Sequence, residues 1–141
     1  DVEETLADDA RFDVFQLIDT ALRGEAAACA RMLVSLRAEG VEPILVLWAA
    51  GREIRSLAPM AQAIAQGRPE SSVTGAVWAN RKAAVGAALR RHKPRQWQAL
   101  LARAARLDRV IKGRAAGDAW LETEQLLLAI AGVRPLPLAA S

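Results

Sequence analysis

The sequence has no tyrosine, one histidine and one cysteine, and aromatic residues make up only 4% of its 141 residues. A single cysteine, Cys29, excludes an internal disulfide and any zinc cluster built on cysteine pairs. It lies in Ala26-Ala27-Ala28-Cys29-Ala30 with no histidine nearby. A reactive thiol needs neighbours that favour the thiolate, so Cys29 is expected to pack as a small buried residue, much as alanine would. The one histidine, His92, stands in Arg90-Arg91-His92-Lys93. A catalytic histidine needs an orienting partner and a nucleophile, and one set among cations is expected to be solvated.

Other chemistry is missing as well. Gly51, Gly67, Gly75 and Gly86 are scattered singly, so no Gly-rich phosphate loop is formed. Glu3-Glu4 and Asp8-Asp9 read as a solvated approach segment, and Glu122 and Glu124, two apart on a helix, do not converge on one ligand. These absences predict no catalytic residue, cofactor or metal. No apolar run approaches the roughly 20 residues of a membrane span; the longest, Ile44 to Ala50, reads as a buried helical turn. The acidic start without Met resembles neither a signal peptide nor a native start, and reads as a cut from a longer protein.

What is abundant is alanine and leucine, the main part of a 52% hydrophobic content. Both head the helix-propensity ranking, and no segment alternates at strand period for long. Asp13 is a good N-cap for a helix through Arg23, and Gly24 ends it. A second helix is predicted over about 25–39, stopping at Gly40, and Pro43 opens a third at its first position. That helix is apolar all round in its first turns, which argues for a buried place, and Pro59 should kink or break it. Gly67 to Ser72 reads as the clearest loop. Further helices follow over about 77–91, from Pro94 to near Gly113, and from an Asp118 cap to Gly132. The whole reads as one all-α domain, a compact bundle of about six helices. Residues 1–10 read as a connection from a preceding domain, and 133–141, with Pro135 and Pro137, as a tail.

Charge is uneven. Residues 1–42 carry 10 acids and 4 bases, and from Arg81 to Arg114 there are 11 bases against Asp108 alone. Such a stretch suits a polyanion or an acidic partner protein. On the fifth helix Trp97, Leu100, Leu101, Ala104, Leu107 and Ile111 form an apolar stripe. Opposite it, Arg95, Arg103, Arg106 and Arg109 fall within about a third of the circumference, with no Glu at i±4. They are either an ordinary surface or a site for phosphate or carboxylate. Trp48, Trp97 and Trp120 sit in apolar stripes and are expected in the core. Trp78, just before Asn80-Arg81-Lys82 at a helix start, has two readings: core packing, or a ring offered to a base beside phosphate-binding N–H groups.

The run Phe12-x-x-Phe15-x-Leu17-Ile18-Asp19-x-Ala21-Leu22-x-Gly24, followed by Leu33-x-x-Leu36-x-x-x-Gly40-x-Glu42-Pro43, resembles the delta-subunit family of the bacterial DNA polymerase III clamp loader. The resemblance continues through Arg52-Glu53, Leu57, Val77-Trp78-x-Asn80-Arg81 and Ala119-Trp120-x-Glu122, over nearly the whole chain. It implies the C-terminal helical domain of that subunit, which joins a collar holding a heteropentamer together. Tau or gamma subunits and delta prime would be its neighbours. The sliding clamp would be met by an N-terminal region that this chain does not resemble. It also implies a bacterial, cytoplasmic, nucleoid-associated setting, and a place near primer-template DNA. Trp78, Asn80, Arg81 and Lys82, with Arg103 and Arg106, are then the DNA-contact candidates. One departure is Arg114-Ala115-Ala116-Gly117, where relatives can carry an aromatic residue. A scaffold of this kind is expected to leave apolar patches exposed when alone. The alternative is a stand-alone helical nucleic-acid-binding module resting on the basic stretch.

Overall fold

The structure, a computed structural model, describes residues 2–134, with side chains from residue 9 onward. Its elements are α1 (Val2–Leu22), α2 (Ala26–Ala38), α3 (Pro43–Ala65), a single turn α4 (Glu70–Val73), a 3-10 turn (Ala79–Arg81), α5 (Lys82–Arg91), α6 (Pro94–Ile111) and α7 (Ala119–Ile130). No strand occurs among the described residues, and apart from the one-turn α4 the helices number six, as the sequence predicts. The tail segment with Pro135 and Pro137 lies outside the described residues.

The helix starts follow from local chemistry. Pro43 and Pro94 occupy first helical positions, where a missing N–H is no loss. Ahead of α6, Gln96 reaches back so that its Oε1 accepts from the Lys93 backbone N–H at 2.7 Å. Ahead of α7, Asp118 Oδ1 accepts from the Leu121 N–H at 2.9 Å. α3 and α6 are the principal packed pair. Val46, Ala50, Ile54 and Leu57 of α3 join Trp97, Leu100, Ala104 and Leu107 of α6 in a core that also takes Leu17 and Ile18 of α1 and Leu126 and Leu127 of α7. Each fully buried leucine or isoleucine there contributes about 1.5–3 kcal/mol relative to exposure. Cys29 is fully buried among them, and burial, with a smaller part from Glu124, pushes its thiol pKa up to about 12.

Several expectations are corrected. α1 starts at Val2, so Asp13 lies inside a helix instead of capping one. Nothing between Val2 and Leu22 is Gly or Pro, and the acidic segment keeps helical propensity. α3 runs unbroken through Pro59, which sits on its exposed face, where the carbonyl one turn back that loses its N–H donor can meet solvent. The loop after Gly67 contains the α4 turn, started by Pro69 in an extended conformation. The helix expected from Val77 begins only at Lys82, because Trp78 is extended and Ala79–Arg81 winds as 3-10. Trp97 is fully buried and Trp120 partly so, but Trp48 is 62% exposed. An all-round apolar helix turned out to be covered on one side only.

His92 is the largest departure: it is buried, not solvated. Its Nε2 lies 2.7 Å from the Ile130 carbonyl oxygen, an acceptor, so Nε2 carries the proton and Nδ1 is left as a buried acceptor with no hydrogen-bond partner. The ring meets Trp97 edge-on at 5.3 Å, and Trp97 Nε1 donates to the His92 carbonyl at 3.2 Å. Next to it, Arg91 Nη1 donates to two helix-terminal carbonyls, Leu22 of α1 at 3.0 Å and Ile130 of α7 at 3.1 Å. Gly24 and Gly132, both at positive φ, make room for this guanidinium; a Cβ at either would collide with the Arg91 side chain.

Burial lowers the His92 pKa below its ordinary 6.5; the Ile130 bond opposes this and the charge of Arg91 adds to it. The unfolded chain therefore takes up the proton first as pH falls. The contribution of His92 to stability is complete above about 6.5 and is lost as pH drops from there toward the lower folded value, by at most about 1.4 kcal/mol per pH unit. Denaturation midpoints measured from pH 8 to 5 should fall less steeply for His92→Gln than for the parent; parallel curves would contradict the assignment.

Candidate functional site

The residues singled out for polyanion contact are distributed over three different environments. Trp78 stands at the end of the turn after α4, 78% exposed, with Asn80 exposed on the 3-10 turn that follows and Lys82 exposed at the start of α5. Arg81 between them points inward. It donates from Nε and Nη2 to Asp19 Oδ1 of α1 at 3.2 and 2.8 Å, and from Nη2 to Glu53 Oε1 of α3 at 2.6 Å. Burial alone would lower its pKa, but the hydrogen bonds and charges of Asp19 and Glu53 raise it above the usual arginine value. Arg81 is thus a tie between helices that fixes where Trp78 stands. It offers little to an external phosphate.

Arg106 is removed from the surface altogether. It is 5% exposed, and its guanidinium pairs with Glu122 of α7 at 2.9 and 3.2 Å while Nη2 also donates to the Ala116 carbonyl at 2.9 Å. The absence of a Glu at i±4 gave no hint of this, because the partner arrives sixteen residues later on the next helix. Gly117 belongs to the same device: a Cβ there would overlap Glu122 Oε2. Arg103 is half-buried and lines a groove of about 370 Å³ with His92, Gln96, Gly132 and Arg134. Burial lowers its pKa, with Glu122 acting against and Arg106 with that shift. Arg95 and Arg109 remain exposed on α6. The structure therefore brings Trp78, Asn80 and Lys82 together and separates Arg103 and Arg106 from them.

An apolar surface is also present that the residue types concealed. Phe12 and Phe15 of α1 and Leu45 and Trp48 of α3 are exposed by 62, 48, 38 and 62%. Phe15, Leu45 and Trp48 line a groove of about 330 Å³ with Arg11 and Arg52 beside them. A second apolar spot lies on α2 and α7, where Val34 and Leu121 are exposed next to Trp120. Arg37 is stacked over that indole at 5.3 Å. At helical spacing these residues look like core, and only the fold tells covered from uncovered. Among the described residues, no group of three or more His, Cys, Asp or Glu is placed to hold a metal ion. No described helix is long and apolar enough to cross a membrane.

The family described as processivity clamp loader gamma complex DNA pol III C-term matches residues 14–137. The chain is similar to the DNA polymerase III subunit delta of Escherichia coli (strain K12), at 30% identity over 129 residues that make up 90% of this chain and 37% of that protein. Its fold is similar to that of the Bacillus subtilis DNA clamp loader delta protein, with a TM-score of 0.60 at 16% identity, covering 88% of this chain and 37% of that one. The chain thus spans little more than a third of the length of either relative.

Two outcomes test the assignments of these side chains. Removing one member of the buried Arg106–Glu122 pair leaves the other charge stranded, so Glu122→Ala should cost about 3–5 kcal/mol in denaturant titration; Arg106→Met with Glu122→Leu should recover most of it. At the surface, Trp78→Ala should leave stability within about 0.5 kcal/mol, while Arg81→Ala costs about 1–3 kcal/mol through its two half-buried carboxylate partners. A large loss for Trp78→Ala would return that ring to the core.

Proposed function

The chain belongs to the C-terminal domain family of the DNA polymerase III clamp-loader gamma complex, and from that premise we propose that it is the scaffold domain of a delta subunit, holding a heteropentameric collar together for sliding-clamp loading. In this reading it works by assembly and carries no catalysis of its own. Its neighbours are the tau or gamma subunits and delta prime, and the clamp itself is met by a region of the parent protein outside this chain. The observation that carries the reading is the exposed apolar surface of Phe12, Phe15, Leu45 and Trp48. Of these, Phe15, Leu45 and Trp48 surround one groove, and such an exposed apolar patch marks a contact site.

A ring member also needs two unlike faces, one for each neighbour. The Val34–Leu121 spot on α2 and α7 shares no residue with the Phe15–Trp48 groove, which supports that arrangement. Primer-template DNA is the second partner proposed, held through Trp78, Asn80 and Lys82. An exposed indole beside a lysine suits stacking on an unpaired base with a phosphate alongside. Arg81 serves there as a positioning residue.

The purified domain, mixed with the tau or gamma and delta prime subunits of its own organism, should sediment as a larger complex that persists as salt is raised. Trp48→Asp should weaken that association at least tenfold, as expected for a central aromatic anchor. Trp78→Ala should leave assembly intact and weaken primer-template binding about tenfold. A domain that stayed alone, yet bound DNA in a steeply salt-dependent way, would be a stand-alone nucleic-acid module instead.

A further inference from the structure

Two glycines sit inside helices without positive φ, each four residues before an arginine: Gly86 before Arg90 in α5, and Gly51 before Arg55 in α3. A glycine inside a helix weakens it relative to alanine, so each position invites a reason. For Gly86 the reason lies within the chain. A Cβ there would stand 3.0 Å from Arg90 Nη1 and 3.2 Å from Glu70 Oε2. Arg90 Nη1 donates to both Glu70 oxygens, at 2.9 and 2.8 Å. The glycine is the floor on which a carboxylate borne by another helical turn, α4, meets the arginine one turn further on.

Gly51 has the same floor and the same arginine. Its Cβ position lies 3.0 Å from Arg55 Nη1, and its three nearest atoms all belong to the Arg55 guanidinium, so neither core nor backbone requires a glycine. Among the described residues, Arg55 has no carboxylate in the role that Glu70 plays for Arg90. The one acid lining this groove of about 260 Å³, Asp108, is bound to Lys112 at 3.0 Å. Exposed Trp48 forms one wall, shared with the neighbouring groove that holds Phe15 and Arg52, and Leu101 and Ala105 of α6 form the other. Charge, a close-approach floor and an apolar wall coincide at one place.

We propose that the Trp48–Gly51–Arg55 face of α3 receives an amphipathic helix of a neighbouring subunit, which sets an Asp or Glu side chain on Arg55 across Gly51 as Glu70 sits on Arg90 across Gly86. This rests on the assembly reading and specifies its partner: a helix with an apolar row against Trp48 and Ala105 and a carboxylate beside it. Arg52 along the adjoining groove favours the same acidic flank.

The test uses the intact parent protein and the partner subunits named above, with the dissociation constant as the readout and circular dichroism as the check on folding. Arg55→Glu should weaken association at least tenfold while the melting temperature is unchanged. Gly51→Ala should raise the melting temperature by about 2–4 °C through helix propensity, yet weaken association several-fold by lifting the floor. If both variants associate as tightly as the parent, the inference is overturned and the assembly reading stands. If the unmodified parent fails to associate at all, the assembly reading falls and takes this inference with it.

Discussion

The C-termini of α1 and α7 point at the same guanidinium. Each helix end leaves carbonyls without an internal donor and carries the negative end of the helix dipole. Arg91 donates to Leu22 of one and Ile130 of the other, and His92 adds a second donor to Ile130. Burying a cation costs desolvation, which is why the Arg91 pKa is lowered. Two dipole ends and two carbonyls offset that cost. Glycine at 24 and 132 is the steric condition for the arrangement, so three stretches far apart in sequence, 22–24, 91–92 and 130–132, form one joint. α1, α5 and α7 all end there.

The buried row of α3 faces α6, and its outward side leaves Leu45 and Trp48 exposed ahead of Arg52 and Arg55. The two inward arginine ties, Arg81 to Asp19 and Glu53 and Arg106 to Glu122, brace the bundle at separate points. Both use acids that the linear charge count files under surface. Arg81, Arg91 and Arg106 of the basic stretch thus serve cohesion, while Lys82, Arg95 and Arg109, like Trp78 and Asn80, are turned outward.

Helix number, the proline starts of α3 and α6 and the Asp118 cap were legible because each depends on residues within one turn. Trp97 and Cys29 were legible for a related reason: their stripes are covered all along. The failures share a different cause. His92 was read from its cationic neighbours, yet its environment is set by Ile130, 38 residues away. Arg106 and Arg81 were read as free cations because their acids lie 16, 28 and 62 residues off. Trp48 was assigned to the core because period alone cannot tell a face covered within the chain from one left open. Asp13 misled because a good cap residue is also tolerated inside a helix when nothing upstream breaks it. The Gly51–Arg55 and Gly86–Arg90 spacings were plain in the sequence, but only Glu70 lying across one of them gave the spacing a meaning.

The position of α7 has a consequence for the order of events during synthesis. α1, α2, α3 and α6 all pack on α7, and Arg91 reaches Leu22 and Ile130 across 69 and 39 residues. A chain emerging from the ribosome forms its early helices first, but those helices have no complete core to close on until Leu126, Leu127 and Ile130 have been made. The part of the core that α7 covers on α1, α2, α3 and α6 therefore stays open until nearly the end of the domain is translated. This places the domain's closure at the end of its own translation.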